Sequence, residues 1–272
     1  MDIYQVFHLA PFAQGNLAVI HGLADAKGTR PLQPLSGRQL PGAITQCNVS
    51  RCENNQYRVD CYQRGEKIQC CGHGLLAVAH ALFESGIDTR IDFEGGVYAE
   101  RSPPEQGTRL TWLYLPAIMA APIDLPPWAS QLFSTIDEQH IVPVDAAATG
   151  DTNGYLLLQL NEQICLESLN VDVNAISANT GQAVLAWQHS TEDTSMIKMR
   201  YFAPQYGNNE DAATGSVLRV LGPYVQRTAG LESFSVFQCS RQGGRMMVRN
   251  GAASVAINGN VQSVDGKELP AQ

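Results

Sequence analysis

The chain predicts an α+β protein of two similar halves, each a curved sheet wrapped around a buried helix. Three observations carry this. Two short turns of Gly or small residues, far apart in the chain, each stand directly in front of an apolar helix: Cys70-Cys71-Gly72-His73-Gly74 before residues 75–82, and Asn209-Glu210-Asp211-Ala212-Ala213-Thr214-Gly215-Ser216 before residues 217–221. Runs with strand character precede and follow each turn. Pro-rich stretches at 116–122 and 125–128 separate the two sets. Halves of residues 1–118 and 119–272 are therefore expected, with the last strands able to pack back on the first half.

Taken in order, residues 3–8 and 17–21 read as two strands around a turn at 11–16, and 35–43 as a short helix. Residues 57–62 alternate like a half-buried strand. The helix after Gly74 is apolar on nearly every face, so it should be buried on all sides. Residues 90–93, 98–100 and 110–115 read as strands. The second half repeats the order. A strand is expected at 155–160, a helix at 173–179, strands at 183–187 and 196–202, then the second turn and helix. Strands at 234–239, 245–248 and 253–257 close the chain. The repeat is too long for a solenoid and is better described as a duplicated domain.

Composition limits the function. The 272 residues are 44% apolar and 16% charged, an ordinary globular balance. Net charge is -8 and no Lys/Arg run stands out, which argues against nucleic acid or an anionic membrane as partner. The longest apolar stretch, about 75–83, is interrupted by His80 and too short to span a bilayer. No signal peptide is read at the N-terminus, and a cytoplasmic location is expected. Seven Cys, an odd number, point to reduced thiols. Cys47, Cys52, Cys61, Cys70, Cys71 and His73 lack the paired spacing of a structural zinc site, so no metal is expected. No G-x-G-x-x-G or P-loop supports a nucleotide cofactor.

Lined up on their glycines, the two turns place Gly72-His73-Gly74 on Ala213-Thr214-Gly215, and Cys71 on Ala212. Each can aim backbone N–H groups at an anion, because the first helical turn has no internal acceptors for them. Each also brings a group able to carry a proton or act as a nucleophile. This layout suits a cleft that holds a carboxylate and moves a proton on a neighbouring carbon.

Four segments carry a family resemblance. They are Pro11-Phe12-Ala13-Gln14-Gly15-Asn16-Leu17-Ala18-Val19, Asn48-Val49-Ser50, Cys71-Gly72-His73-Gly74, and Phe202-Ala203-Pro204 through Ser216, with a weaker echo from Gln238 to Arg245. In this order they resemble the PhzF-like family of phenazine biosynthesis, within the diaminopimelate-epimerase fold. The resemblance implies two pseudo-symmetric halves with mostly antiparallel sheets, a cofactor-independent site between them, isomerisation or epimerisation by proton transfer, and a homodimer. It carries proton handling and substrate positioning onto His73, Asp211 and Ser216. Carboxylate binding falls to the backbone of Gly72, His73 and Gly74 and of Thr214, Gly215 and Ser216, and substrate contact to Asn16.

The family's acid/base Glu falls on Arg51, while Cys52 and Glu53 are out of register. An Arg cannot be a general base near neutral pH, since its pKa exceeds ~12. Three readings stay open: Cys71 or Asp211 takes the role, the chemistry differs, or the protein only binds or senses a small carboxylate, with Arg51 as its partner. Cys71-Gly72-His73-Gly74 is also similar to the first catalytic motif of proline-racemase-like enzymes, where a thiol at a helix N-terminus has a lowered pKa. Their second thiol falls on Ala212 here, which leaves Cys71 with Asp211 as a mixed pair. Plainer roles stand beside these. Cys71 can simply fill space, Asp211 can cap the following helix, His80 can be a core residue, and Arg51 can sit in a surface salt bridge.

Overall fold

The computed structural model describes residues 2–22, 44–52, 56–68, 71–87, 90–104 and 109–264. The helix expected at 35–43 lies outside them, as do Glu53 and Cys70. The elements run β1 (Asp2–Val6), β2 (Asn16–His21), β3 (Thr45–Arg51), β4 (Tyr57–Gln63), β5 (Glu66–Ile68), α1 (Gly72–Glu84), β6 (Ile91–Asp92), β7 (Tyr98–Arg101) and β8 (Thr111–Pro116). They continue with β9 (Ala121–Pro122), β10 (Phe133–Ser134), β11 (His140–Ile141), β12 (Asp145–Ala148), β13 (Tyr155–Gln159), β14 (Asn170–Val171), α2 (Val173–Asn179), β15 (Ala183–His189) and β16 (Met196–Phe202). Last come α3 (Leu218–Ala229), β17 (Ser233–Gln238), β18 (Gly244–Asn250), β19 (Ser254–Asn258) and β20 (Val261–Val264).

The duplication is visible in strand polarity. β1 pairs antiparallel with β2, β2 parallel with β3, and β3 antiparallel with β4. β12, β13, β15 and β16 repeat that antiparallel, parallel, antiparallel sequence. A helix follows each set, α1 after the first and α3 after the second, and an antiparallel meander follows each helix: β6-β7-β8 and β17-β18-β19.

The meanders then join, β8 against β19, into an eleven-stranded sheet that crosses both halves. Beyond the joint one strand crosses back to the first half. β9, which follows β8, adds to β12, and β20, which follows β19, adds to β1. The last strand, β20, thus completes the sheet of the first half, a tie that alternating patterns within one strand cannot encode.

α1 is apolar on nearly every side because it is enclosed. Leu76, Ala77, Val78 and Ala79 are fully buried, and the helix packs on β1, β2 and β3 on one side and on β7 and β8 on the other. Full burial of a side chain such as Leu76 or Phe83 contributes about 1.5–3 kcal/mol. His80 is half-buried and meets Tyr4 edge to face, with ring centroids 6.1 Å apart, the core-type role weighed for it. α3 packs on β18 and β19 and shares one core with α1.

α3 carries Pro223 in its interior, where the ring removes a helical N–H. The carbonyl left over, that of Arg219, accepts the N–H of Ile118 at 2.9 Å. The Pro-rich connection between halves therefore supplies the donor that Pro223 lacks.

Candidate active site

The two Gly turns meet. A Cβ placed on Gly72 would lie 2.8 Å from the backbone N of Ser216 and 3.0 Å from the carbonyl C of Gly215. Only a glycine lets the chains approach this closely. The two turns are not equivalent in detail. Gly72 opens α1 directly, whereas α3 begins at Leu218, so Thr214, Gly215 and Ser216 form the turn leading into it. Among the described residues, no acceptor is found for the N–H groups of Gly72, His73, Gly215 and Ser216. The Thr214 N–H, expected to bind carboxylate, is taken instead by Gln238 Oε1 at 2.7 Å.

Asn16 joins the halves at this point. It stands at the start of β2, behind Gly15, whose φ of +64° suits glycine. Its Nδ2 donates to Ala213 O at 2.8 Å and to Asp211 Oδ1 at 3.2 Å, and lies 3.5 Å from His73 Nδ1. The second Asp211 oxygen accepts from Thr214 Oγ1 at 2.6 Å. His73 Nε2 lies 2.9 Å from Thr45 Oγ1. Asn16 and His73 are each 8% exposed and Asp211 somewhat more, so the group borders solvent without lying open to it. Asp211 does not cap α3, whose N-cap is Val217 with no side-chain bond.

Two residues outside the leading motifs hold Asp211 and its neighbour Glu210. Gln238, fully buried at the end of β17, donates to Asp211 O at 2.6 Å while accepting from Thr214 N. Arg200 on β16 grips Glu210 through two bonds of 2.7 and 2.9 Å. Gln238 lay within the weaker motif echo, whereas nothing in the sequence marked Thr45 or Arg200.

Cys71 is brought to the site, 3.7 Å from the His73 ring nitrogens. Its side chain makes no cap bond to the helix. It turns into the core, where the Sγ atoms of Cys47, Cys71 and Cys61 lie 2.7, 2.9 and 3.0 Å from where a Gly74 Cβ would be. Hydrogen bonding with Cys61, then burial, pushes the Cys71 thiol well above its ordinary value. The shift thus runs opposite to the lowering expected at a helix N-terminus, because the sulfur packs against Cys61 in the core, with the His73 ring opposing the rise. Gly74 likewise faces sulfur. Despite this convergence, among the described residues no group of three or more His, Cys, Asp or Glu is arranged to hold a metal ion.

Arg51 is not brought to the site. It is exposed at the far end of β3, six residues beyond Thr45, or roughly 20 Å along an extended strand. The start of β3, not its end, abuts His73. The pairing of Arg51 with a bound carboxylate thus has no support from its position, while the absence of the family's Glu at this motif position stands. A cavity of about 310 Å³ opens elsewhere, at the Gln159 and His189 ends of β13 and β15, and none of the motif residues lines it.

Residues 5–268 match the family described as phenazine biosynthesis-like protein, PhzC-PhzF. The chain belongs to this family. An uncharacterized isomerase of Pseudomonas aeruginosa is 27% identical, with 96% of this chain and 95% of that protein covered. A phenazine biosynthesis PhzC/PhzF protein of Clostridium difficile superposes with a TM-score of 0.71 at 22% identity, covering 97% of this chain and 98% of that one. A probable proline racemase of Agrobacterium radiobacter superposes at 0.57 and 13% identity, covering 96% and 91%. The fold of this PhzF-like protein is of the diaminopimelate-epimerase type, and at the level of the family the reaction class is isomerisation. Among the described residues no helix is long and apolar enough to cross a membrane.

Proposed function

We propose that this PhzF-like protein isomerises or epimerises a small carboxylated metabolite by moving a proton at carbon, without a cofactor. The observation that carries the reading is the Asp211–Asn16–His73 contact across the two halves, beside the meeting point of the two Gly turns. The N–H groups of Gly72, His73, Gly215 and Ser216 are suited to hold the carboxylate and the charge that develops on it. One such donor in a dry site is worth roughly 3–4 kcal/mol. His73 then takes the proton from the adjacent carbon and returns it, while the Asp211 carboxylate beside it balances the charge of the ring. Asp211 enters this step held at both oxygens, by Asn16 and by Thr214. Ser216 and Asn16 contact the substrate. The same reading carries a homodimer, which light scattering of the purified protein tests.

The test of the reaction is deuterium exchange. The protein is incubated in D2O with a panel of amino acids, hydroxyproline isomers and cyclic carboxylic acids, and C–H loss is followed by proton NMR. Exchange that is lost in Asp211→Asn and in His73→Asn supports the reading. Exchange that survives both variants overturns these roles.

A further inference from the structure

We propose that Thr45 is a positioning residue that fixes the tautomer of His73 and makes Nδ1 the nitrogen that takes the proton. The inference rests on the reading of His73 as a proton carrier. It starts from the Asn16 amide. Its near atom lies 2.8 Å from Ala213 O, a carbonyl that can only accept, so that atom is the NH2 nitrogen. Its two hydrogens are used by Ala213 O and Asp211 Oδ1. An amide nitrogen cannot accept, so His73 Nδ1, 3.5 Å from it, finds no acceptor there for an N–H, and the neutral ring leaves Nδ1 bare. The ring proton then sits on Nε2, where Thr45 Oγ1 accepts it at 2.9 Å.

The Cys71 sulfur lies 3.7 Å from both ring nitrogens and favours neither. Thr45 is the described side chain that distinguishes them. It is fully buried at the start of β3, so water does not replace its hydroxyl. In the reaction, the substrate C–H bond breaks, its electron pair stays on carbon, and the proton moves to Nδ1, giving an imidazolium beside the Asp211 carboxylate; the electron pair then takes the proton back from the same imidazolium, which restores the neutral ring. A partner that fixes the tautomer is the usual way to aim one imidazole nitrogen at a reaction.

The test combines 15N NMR of the His73 ring with the exchange assay on the wild type, Thr45→Val and Thr45→Ser. In the wild type, Nε2 is expected to carry the proton and Nδ1 to be bare. Thr45→Val should lose that single tautomer and slow exchange by about tenfold or more, the effect of one lost buried hydrogen bond. Thr45→Ser, which keeps the hydroxyl, should restore both. A wild-type ring protonated on Nδ1 overturns the proposal, as does a Thr45→Val protein that keeps the wild-type tautomer. The ring signals are read without substrate. A correct tautomer with no exchange on any substrate would therefore count against the proposed reaction and leave the role of Thr45 standing.

Discussion

Gly72 and Ser216 touch backbone to backbone, 144 positions apart in sequence, where the two halves of the duplicated chain converge. The contact sets the spacing of the amides on either side and leaves no room for a side chain on Gly72.

Gly72→Ala tests this. The atom in its way is the Ser216 backbone, which cannot rotate aside. The substitution should destabilise the protein by about 1–3 kcal/mol, the usual penalty of overpacking, and abolish exchange by separating the turns. Thermal melts of wild type and variant check the first part. A variant with unchanged melting and activity would show that the turns are not constrained by this contact.

Gly74→Ala meets a different obstacle, the three sulfurs of Cys47, Cys71 and Cys61. It should also lose about 1–3 kcal/mol. Cys47→Ala removes the nearest sulfur, so the Gly74→Ala/Cys47→Ala pair should be more stable than the sum of the single changes allows. Denaturant melts of the four proteins measure this coupling, and strict additivity would argue against the sulfur contact.

Cys71 should be unreactive in the folded protein. Its raised pKa leaves it a thiol at neutral pH, and only thiolates alkylate readily. With iodoacetamide at neutral pH, exposed Cys165 and half-buried Cys52 should be modified first, and Cys71 only after denaturation. Mass spectrometry of the digested protein reads the order. Early modification of Cys71 would restore the thiolate reading that the core packing argues against.

Tyr224 gives a pH dependence. Its hydroxyl donates to Asp145 Oδ2 at 2.5 Å, joining α3 to β12. Burial first, then that bond and the carboxylate charge, push the phenol up from 10.0 to about 12. The neutral phenol is the form that the fold favours. Its contribution is whole below pH ~10, the unfolded value, and is lost as pH rises through about 12. Tyr224→Phe should lower stability by about 1–2 kcal/mol at neutral pH and flatten the alkaline decline. Urea melts from pH 8 upward test both, and parallel pH curves for the two proteins would refute the assignment.

Much of the fold was legible in the sequence, because it rests on short-range patterns. The apolar run after Gly74 could only be buried, and α1 is; α2 and β16 coincide with the periodic segments 173–179 and 196–202. The two Gly turns, Asn16, His73 and Asp211 were legible as motifs, and the structure brings them together. What tertiary structure alone decided was direction and partner. Arg51 sits one residue past a motif yet about 20 Å from where β3 meets His73, because an extended strand carries each residue ~3.3 Å further along. Cys71 precedes a helix, where a lowered pKa is the rule, but two sulfurs from β3 and β4 set its environment instead. Thr45 and Gln238 gain their roles through hydrogen bonds to residues 28 and 24 positions away, reached through sheet pairing. Local pattern determines which segments form strands and helices, since those depend on neighbours in sequence. The surroundings of a side chain depend on neighbours in space, and these exist only once the two halves have come together.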